Sequence, residues 1–71
     1  MNTINPKKLL NSKWTAVKPI NKEKHFVVTE VKFDEEDAVI HCVTEAVLSH
    51  RAEPIAWQKL KNSSDWQQGW K

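Results

Sequence analysis

Alternating hydrophobic and polar positions in the middle of the chain predict two neighbouring β-strands. Residues 25–33 are rich in β-branched and aromatic side chains, with Val27, Val31 and Phe33 on one face. Residues 38–48 place a second apolar set on one face: Ile40, Cys42, Ala46 and Leu48. The acidic run 34–37 between these segments has the composition of a turn. The pattern therefore predicts a β-hairpin.

The register of this hairpin can be predicted from its side chains. Closing the turn with Phe33 opposite Ala38 produces cross-strand pairs that match on both faces: Val31 with Ile40, Thr29 with Cys42, Val27 with Thr44, Glu30 with His41, Val28 with Val43 and Phe26 with Glu45. Small or apolar groups meet on the first face, and opposite charges or apolar groups meet on the second. Agreement on both faces favours the hairpin.

Residues 38–48 also fit a helix, which is the alternative interpretation of this segment. Six apolar residues recur there at helical spacing: Ala38, Val39, Cys42, Val43, Ala46 and Val47. Acids precede the segment and His50-Arg51 follows it, as a helix dipole favours. The many β-branched residues lose rotamer freedom in a helix, however, and this favours the strand.

The segments before the hairpin predict a helical turn and a short strand. In residues 5–10, Asn5 is suited to cap the turn and Pro6 to begin it, and the turn ends near residues 11–12. Residues 13–17 then alternate as a strand, which Lys18-Pro19 is expected to stop.

The segments after the hairpin predict an edge strand and one final helical turn. A loop at residues 49–53 precedes the edge strand, which begins at Pro54 and includes Trp57, because an edge position tolerates a residue without an amide donor. Residues 61–65 are typical of a turn. Ser64 and Gln67 form a capping box for a last helical turn that ends at Gly69.

These elements together predict a mainly β fold. We expect a small antiparallel sheet of three to four strands, curled toward an SH3-like or Tudor-like open barrel, with short terminal helical turns. Both faces of the predicted hairpin are apolar, so a flat sheet would leave one of them exposed unless the terminal segments fold over it.

The length and composition limit the architecture and location. A chain of 71 residues is one small domain, spanning 1–71 with residues 1–4 expected to be disordered, and its four Trp supply much of the core. The single Cys42 provides no disulfide, so a reducing cytoplasm is predicted. No secretory signal is visible, and no apolar stretch approaches the roughly 20 residues that span a bilayer, so no membrane association is predicted.

Four blocks of the sequence resemble a small tryptophan-rich bacterial protein family that has no established function. In chain order they are residues 5–10 (NPKKLL), 12–17 (SKWTAV), 21–26 (NKEKHF) and 66–71 (WQQGWK). The resemblance covers nearly the whole chain. It implies a stand-alone bacterial domain and carries over no catalytic or ligand residues.

The polar residues do not form a recognisable catalytic or metal-binding motif. Adjacent His41 and Cys42 point to opposite faces of a strand, so we expect Cys42 to be buried and His41 to pair with Glu30. The acidic run 34–37 lacks the spacing and the glycine of a calcium loop, and the single Gly69 rules out a glycine-rich phosphate loop. The sequence thus predicts no enzyme, no metal site and no cofactor.

Tryptophans with basic neighbours are the remaining candidate for function. Bases stack on exposed indoles while cations contact phosphates, so single-stranded RNA or DNA is the predicted partner. The candidate binding residues are Lys13, Arg51, Lys59, Lys61, Trp66 and Trp70. We expect Trp14 and Trp57 to be in the core.

The alternative hypothesis is a protein-interaction or homodimerisation module that uses an edge strand and an exposed Trp. The net charge of the chain is only +2 (11 Lys and Arg against 9 Asp and Glu), and this near balance favours the alternative.

Overall fold

Antiparallel strands form one open sheet in the computed structural model, which describes residues 2–71. The five strands are β1 (Lys13–Ile20), β2 (Glu23–Phe33), β3 (Val39–Ala46), β4 (Ala52–Pro54) and β5 (Trp66–Gln68), and two 3₁₀ helices span Pro6–Lys8 and Trp57–Lys61. Their order across the sheet is β4-β3-β2-β1-β5, so the last strand pairs with the first. The mainly β, antiparallel prediction is confirmed. The predicted number of three to four strands is wrong, because β5 adds a fifth.

The N-terminal turn has the predicted local structure. The side-chain oxygen of Asn5 accepts a hydrogen bond from the Lys7 N–H at 3.0 Å, and Pro6 takes the first helical position. Of the segment expected to be disordered, Met1 lies outside the described residues. Residues 2–4 lie beside the C-terminal elements, where the Asn2 amide donates hydrogen bonds to two backbone carbonyls, those of Leu60 and Trp66, at 2.8 Å each.

β1 continues past its predicted end at Lys18-Pro19. Its pairing with β2 is regular from Lys13 to Thr15 and then is interrupted until Ile20, which lies opposite Glu23. Pro19 falls in the interrupted part, where no ladder bond requires the missing N–H. Proline therefore does not stop this strand, and the predicted boundary is wrong.

The β2–β3 hairpin is present, and residues 39–46 form a strand, as the β-branched residues predicted. The predicted register is wrong, because Val31 lies opposite Cys42 and Val28 lies opposite Thr44. Two irregularities explain the difference. Thr29 is an extra residue in β2, and Ile40 is an extra residue in β3.

Each of these bulges shifts the alternation of side chains by one position. Val28 belongs to the core, and Val31, three residues later, packs against it. In an unbroken strand these two side chains would point to opposite faces of the sheet. Val39 packs against that core, while Ile40 is 65% exposed. β3 ends at Ala46, so Leu48 lies in the following turn and is 72% exposed. Ile40 and Leu48 therefore do not share a buried face with Cys42, contrary to the prediction.

The C-terminal third differs most from its prediction. β4 begins at residue 52, before the expected edge strand, and Trp57 begins a 3₁₀ helix instead of extending that strand. The predicted last helical turn is the strand β5, because Trp66, Gln67 and Gln68 pair with β1. This long-range pairing outweighs the local capping-box pattern.

The core lies on one side of the sheet. Leu9 and Leu60, from outside the strands, pack with Trp14, Val28 and Cys42 of β1, β2 and β3. Trp14 is 2% exposed, as predicted. Trp57 is only partly buried and packs at the edge of this cluster, as Trp66 does. Of these two partly covered indoles, that of Trp66 also lines an open cleft.

Candidate binding cleft

An open cleft of about 400 Å³ lies on the core side of the sheet, where β1, β4 and the 3₁₀ helix Trp57–Lys61 leave a gap. Its floor includes Phe26 and Trp66, whose rings meet edge to face with their centroids 5.2 Å apart. Trp66 reaches this position because it pairs with Ala16 across β5 and β1. We call this region the aromatic cleft, defined by Lys18, Glu23, Phe26, Arg51, Lys59 and Trp66.

One wall of the aromatic cleft is an ion-pair network around Glu23, whose side chain is 5% exposed. Arg51 binds its carboxylate twice, with Nε 3.1 Å from Oε2 and Nη2 2.5 Å from Oε1. The Ser49 hydroxyl donates to Oε2 at 2.5 Å. The hydrogen bonds from Arg51 and then Ser49 hold the pKa of Glu23 below its ordinary value. The network ties the loop after β3 to the start of β2.

Arg51 keeps binding capacity beyond this network. It also donates to Glu53, and its hydrogen bonds to Glu23 and Glu53 raise the pKa of its guanidinium further above the ordinary value. A guanidinium carries five N–H groups. Three of them bind the two carboxylates, and the other two form no hydrogen bond within residues 2–71, so they are open to a ligand.

Lys18 and Lys59 supply the other positive charges of the aromatic cleft. Lys18 lies in the irregular part of β1, and Lys59 lies in the second 3₁₀ helix. Within residues 2–71, neither ammonium group takes part in an ion pair. Two lysines that form no direct ion pair in this range thus border an aromatic floor.

The six predicted binding residues divide among three places. Arg51, Lys59 and Trp66 line the aromatic cleft. The other three form two cation–π contacts elsewhere: Lys13 Nζ lies 4.8 Å from the ring centroid of Trp70, and Lys61 Nζ lies 4.7 Å from that of Trp57.

Trp70 lies on the opposite face of the sheet from the aromatic cleft. Its ring is tilted against His25, with centroids 6.1 Å apart, and it contacts Lys13. Lys13 in β1 and His25 in β2 alternate with residues whose side chains face the core, so they lie on the other face of the sheet. The indole N–H donates to the Phe26 carbonyl oxygen at 2.9 Å. Trp70 is 46% exposed, but it is separated from the cleft by the sheet.

Histidine, cysteine and acidic residues form no cluster of three or more suited to a metal ion anywhere in the described range 2–71. His41 Nε2 lies 3.2 Å from Glu30 Oε2, which confirms the predicted pair. Cys42 is 2% exposed, as predicted, and its burial raises the pKa of the thiol. In the acidic turn, Asp34 Oδ1 accepts hydrogen bonds from two backbone N–H groups at 2.9 Å each, and so the carboxylate shapes the turn.

Comparison with known proteins places the chain in a family. The family described as tryptophan-rich protein (DUF2389) matches residues 12–71. The chain belongs to this family. The resemblance seen in the sequence is thereby confirmed. No match was found among curated proteins or among solved structures.

The match to the tryptophan-rich family includes all four Trp and all six residues that define the aromatic cleft. In the part of this DUF2389 protein that the structure describes, no helix is both long enough and apolar enough to span a membrane.

Sequence reasoning missed three residues of the aromatic cleft. The sequence pattern predicts Lys18 as part of a strand stop and Phe26 as an ordinary strand residue. It does not indicate Glu23 as a site residue, because the partner of Glu23, Arg51, is 28 positions away. An acid at the first position of a strand gives no local signal for such a pair.

Proposed function

We propose that this tryptophan-rich protein binds single-stranded RNA or DNA and that the aromatic cleft holds one nucleotide of the strand. The observation that supports the proposal is the position of Lys18 and Lys59, which form no ion pair among residues 2–71, beside the floor of Phe26 and Trp66. Bases stack on aromatic rings, while lysines neutralise phosphates. A volume of about 400 Å³ is large enough for a small ligand.

The residues have separate roles in this proposal. The base packs on the part of the Trp66 indole that the core leaves uncovered, since this residue is only partly buried. Lys18 and Lys59 contact the phosphates on either side of the base. Arg51 is held in place by Glu23 and offers its two remaining N–H groups to a phosphate or to a base edge.

The charges of the cleft limit the expected affinity. Lys18, Arg51 and Lys59 face an equal number of acids among the lining residues, namely Glu23, Glu53 and Asp65. The field over the cleft is therefore weak, and affinity depends on two direct lysine contacts and on stacking. Neutralising two phosphates of a single strand gives a slope of log affinity against log salt of about −1.4.

Other expectations from the sequence remain proposals beside this one. The core on one side of the sheet and the two bulges, which increase strand twist, support a sheet that curls toward an SH3-like or Tudor-like open barrel. A cytoplasmic location and a bacterial origin stay predictions.

A fluorescence titration with mixed-sequence single-stranded RNA and DNA at low salt tests the proposal. The variants Lys18→Glu and Lys59→Glu remove one cleft lysine each, and Lys7→Glu is a control with the same change of net charge in an exposed turn. We expect each cleft variant to weaken binding about tenfold. The control is expected to change binding far less.

The reporter can be assigned with two further variants. Trp66→Phe keeps an aromatic floor but removes the cleft indole, and Trp70→Phe removes the exposed indole on the opposite face. The proposal predicts that quenching is lost with Trp66→Phe and persists with Trp70→Phe. If neither RNA nor DNA binds, the proposal is contradicted. A loss with Lys7→Glu equal to that of the cleft variants contradicts the assignment to the cleft.

A further inference from the structure

β2 extends beyond the strand that pairs with its first half. Its last contacts on the β1 side are at Val28, whose N–H donates to the Ser12 carbonyl at 2.9 Å and whose carbonyl accepts from the Asn11 N–H at 2.8 Å. On the other side of β2, residues 30–33 pair with β3, and Thr29 is the extra residue of the first bulge. Within the described chain, no strand pairs with residues 29–33 on the β1 side. This free edge can accept another strand.

The sequence of the free edge is complementary to itself. Antiparallel pairing of two copies centred on Val31 uses all of residues 29–33 and places Glu30 of each copy opposite Lys32 of the other. The two side chains are exposed, 49% for Glu30 and 63% for Lys32, and lie on one face, since their charged groups are 3.8 Å apart. Opposite charges directly across a strand pair are favourable. A register centred on Glu30 or on Lys32 would instead set like charges against each other.

The two ends of the free edge also differ in charge. Beyond Phe33 lies the turn with four exposed acids, Asp34, Glu35, Glu36 and Asp37. At the other end lie three exposed lysines: Lys7 and Lys8 in the segment that leads into β1, and Lys13 at the start of β1. Antiparallel pairing brings the acidic end of one copy to the basic end of the other. The exposed apolar residues Leu10 (52%) and Phe33 (40%) lie at the same two ends.

We infer that a second copy of this chain pairs with the free edge of β2 and that the two protomers form a symmetric, antiparallel dimer with a continuous sheet. The interface uses the same residues from both copies, as two-fold symmetry requires. It shares no residue with the aromatic cleft, so the inference is independent of the proposed function. A five-residue ladder is a small interface, and the dimer is therefore a weak one.

Sedimentation equilibrium tests the inference with charge variants of exposed side chains. Wild type is expected to be monomeric near about 10 μM and increasingly dimeric toward about 1 mM. Glu30→Lys gives a copy with lysine at both positions, and Lys32→Glu gives one with glutamate at both. Each variant repels itself across the two-fold axis, so each is expected to dimerise about tenfold more weakly than wild type.

Two combinations separate the register from general effects of charge. An equimolar mixture of Glu30→Lys and Lys32→Glu is expected to form a heterodimer, because every lysine then faces a glutamate. The double variant Glu30→Lys, Lys32→Glu is expected to regain the wild-type homodimer. Lys24→Glu, at the far end of β2, is the control with a matched change of charge.

The outcomes are decisive in both directions. Recovery of association in the mixture and in the double variant supports the register. A wild-type chain that stays monomeric at the highest concentration overturns the inference. A dimer that the single variants do not weaken shows that another surface is used, and this also overturns it. Circular dichroism of each variant confirms that the sheet is intact.

Discussion

The guanidinium of Arg51 and the carboxylate of Glu23 form an ion pair with two hydrogen bonds between residues 28 positions apart. The Glu23 side chain is 5% exposed, whereas that of Arg51 is 46% exposed. The acid therefore depends on its partner for the interactions that water would otherwise provide. The pair joins the start of β2 to the loop before β4, and it forms one wall of the aromatic cleft.

Removing the base of this pair is expected to destabilise the protein. Arg51→Met leaves the Glu23 carboxylate without its counter-charge, so we expect the midpoint of thermal unfolding to fall by several degrees. Adding Glu23→Gln to the same chain should recover part of that loss, because a neutral amide needs no counter-charge. Thermal unfolding followed by circular dichroism measures both effects. Equal midpoints for Arg51→Met and wild type would show that the pair does not stabilise the fold.

The same pair gives stability an acid-sensitive component. The pKa of Glu23 in the folded protein lies below its ordinary value of 4.5, because Arg51 and Ser49 donate hydrogen bonds to its carboxylate. Its contribution is therefore complete above about pH 4.5 and declines as the pH falls through the lower folded-state pKa. Urea unfolding from about pH 7 to about pH 3 measures this decline. The Glu23→Gln variant should show a shallower decline, and equal slopes would contradict the assignment.

The sequence predicted the parts of the fold that depend on local chemistry. Asn5 and Pro6 indicated the first turn, and the alternation in residues 25–33 indicated β2. The register of the β2–β3 hairpin was not predictable, because bulges at Thr29 and Ile40 shift the alternation. The helical turn expected after Ser64 is a strand because β1 offers pairing partners, an interaction that no local pattern encodes.

Composition predicts six candidate binding residues, and only some of them meet in the structure. Arg51, Lys59 and Trp66 converge because β5 returns to β1 and the second 3₁₀ helix lies beside it. Lys13 and Trp70 lie on the other face, since alternation along β1 sends Lys13 away from the core. Proximity in sequence to a Trp identified basic residues but not the surface that they share.

The turn between β1 and β2 holds a residue that is poorly suited to its backbone. Asn21 and Lys22 both have positive φ angles, 56° and 63°, as in a two-residue type I′ hairpin turn. Asparagine tolerates this region, whereas lysine is strained there. Lys22→Gly removes this strain but loses more conformational entropy on folding. The net effect expected is a rise of about 0.5–1 kcal/mol in the free energy of unfolding. Urea denaturation measures the change, and Asn21→Gly should gain less.

Two leucines provide a matched test of the core. Leu60 in the second 3₁₀ helix is 0% exposed, and Leu48 in the turn after β3 is 72% exposed. Leu60→Ala should lower the free energy of unfolding by about 2–5 kcal/mol, a large share of the stability of so small a domain. Leu48→Ala should change it by less than about 0.5 kcal/mol. Similar effects from both substitutions would contradict the placement of the second 3₁₀ helix over the core.

The single thiol reports on opening of that core. Cys42 is 2% exposed, and burial raises its pKa, so little of it is present as the reactive thiolate in the folded state. Reaction with an aromatic disulfide reagent at neutral pH is therefore expected to be at least about a hundredfold slower in buffer than in unfolding concentrations of urea. In Leu60→Ala the native-state rate should rise, because the same packing excludes the reagent from Cys42. A thiol that reacts equally fast with and without urea would show that β3 does not bury this residue against Val28 and Leu60.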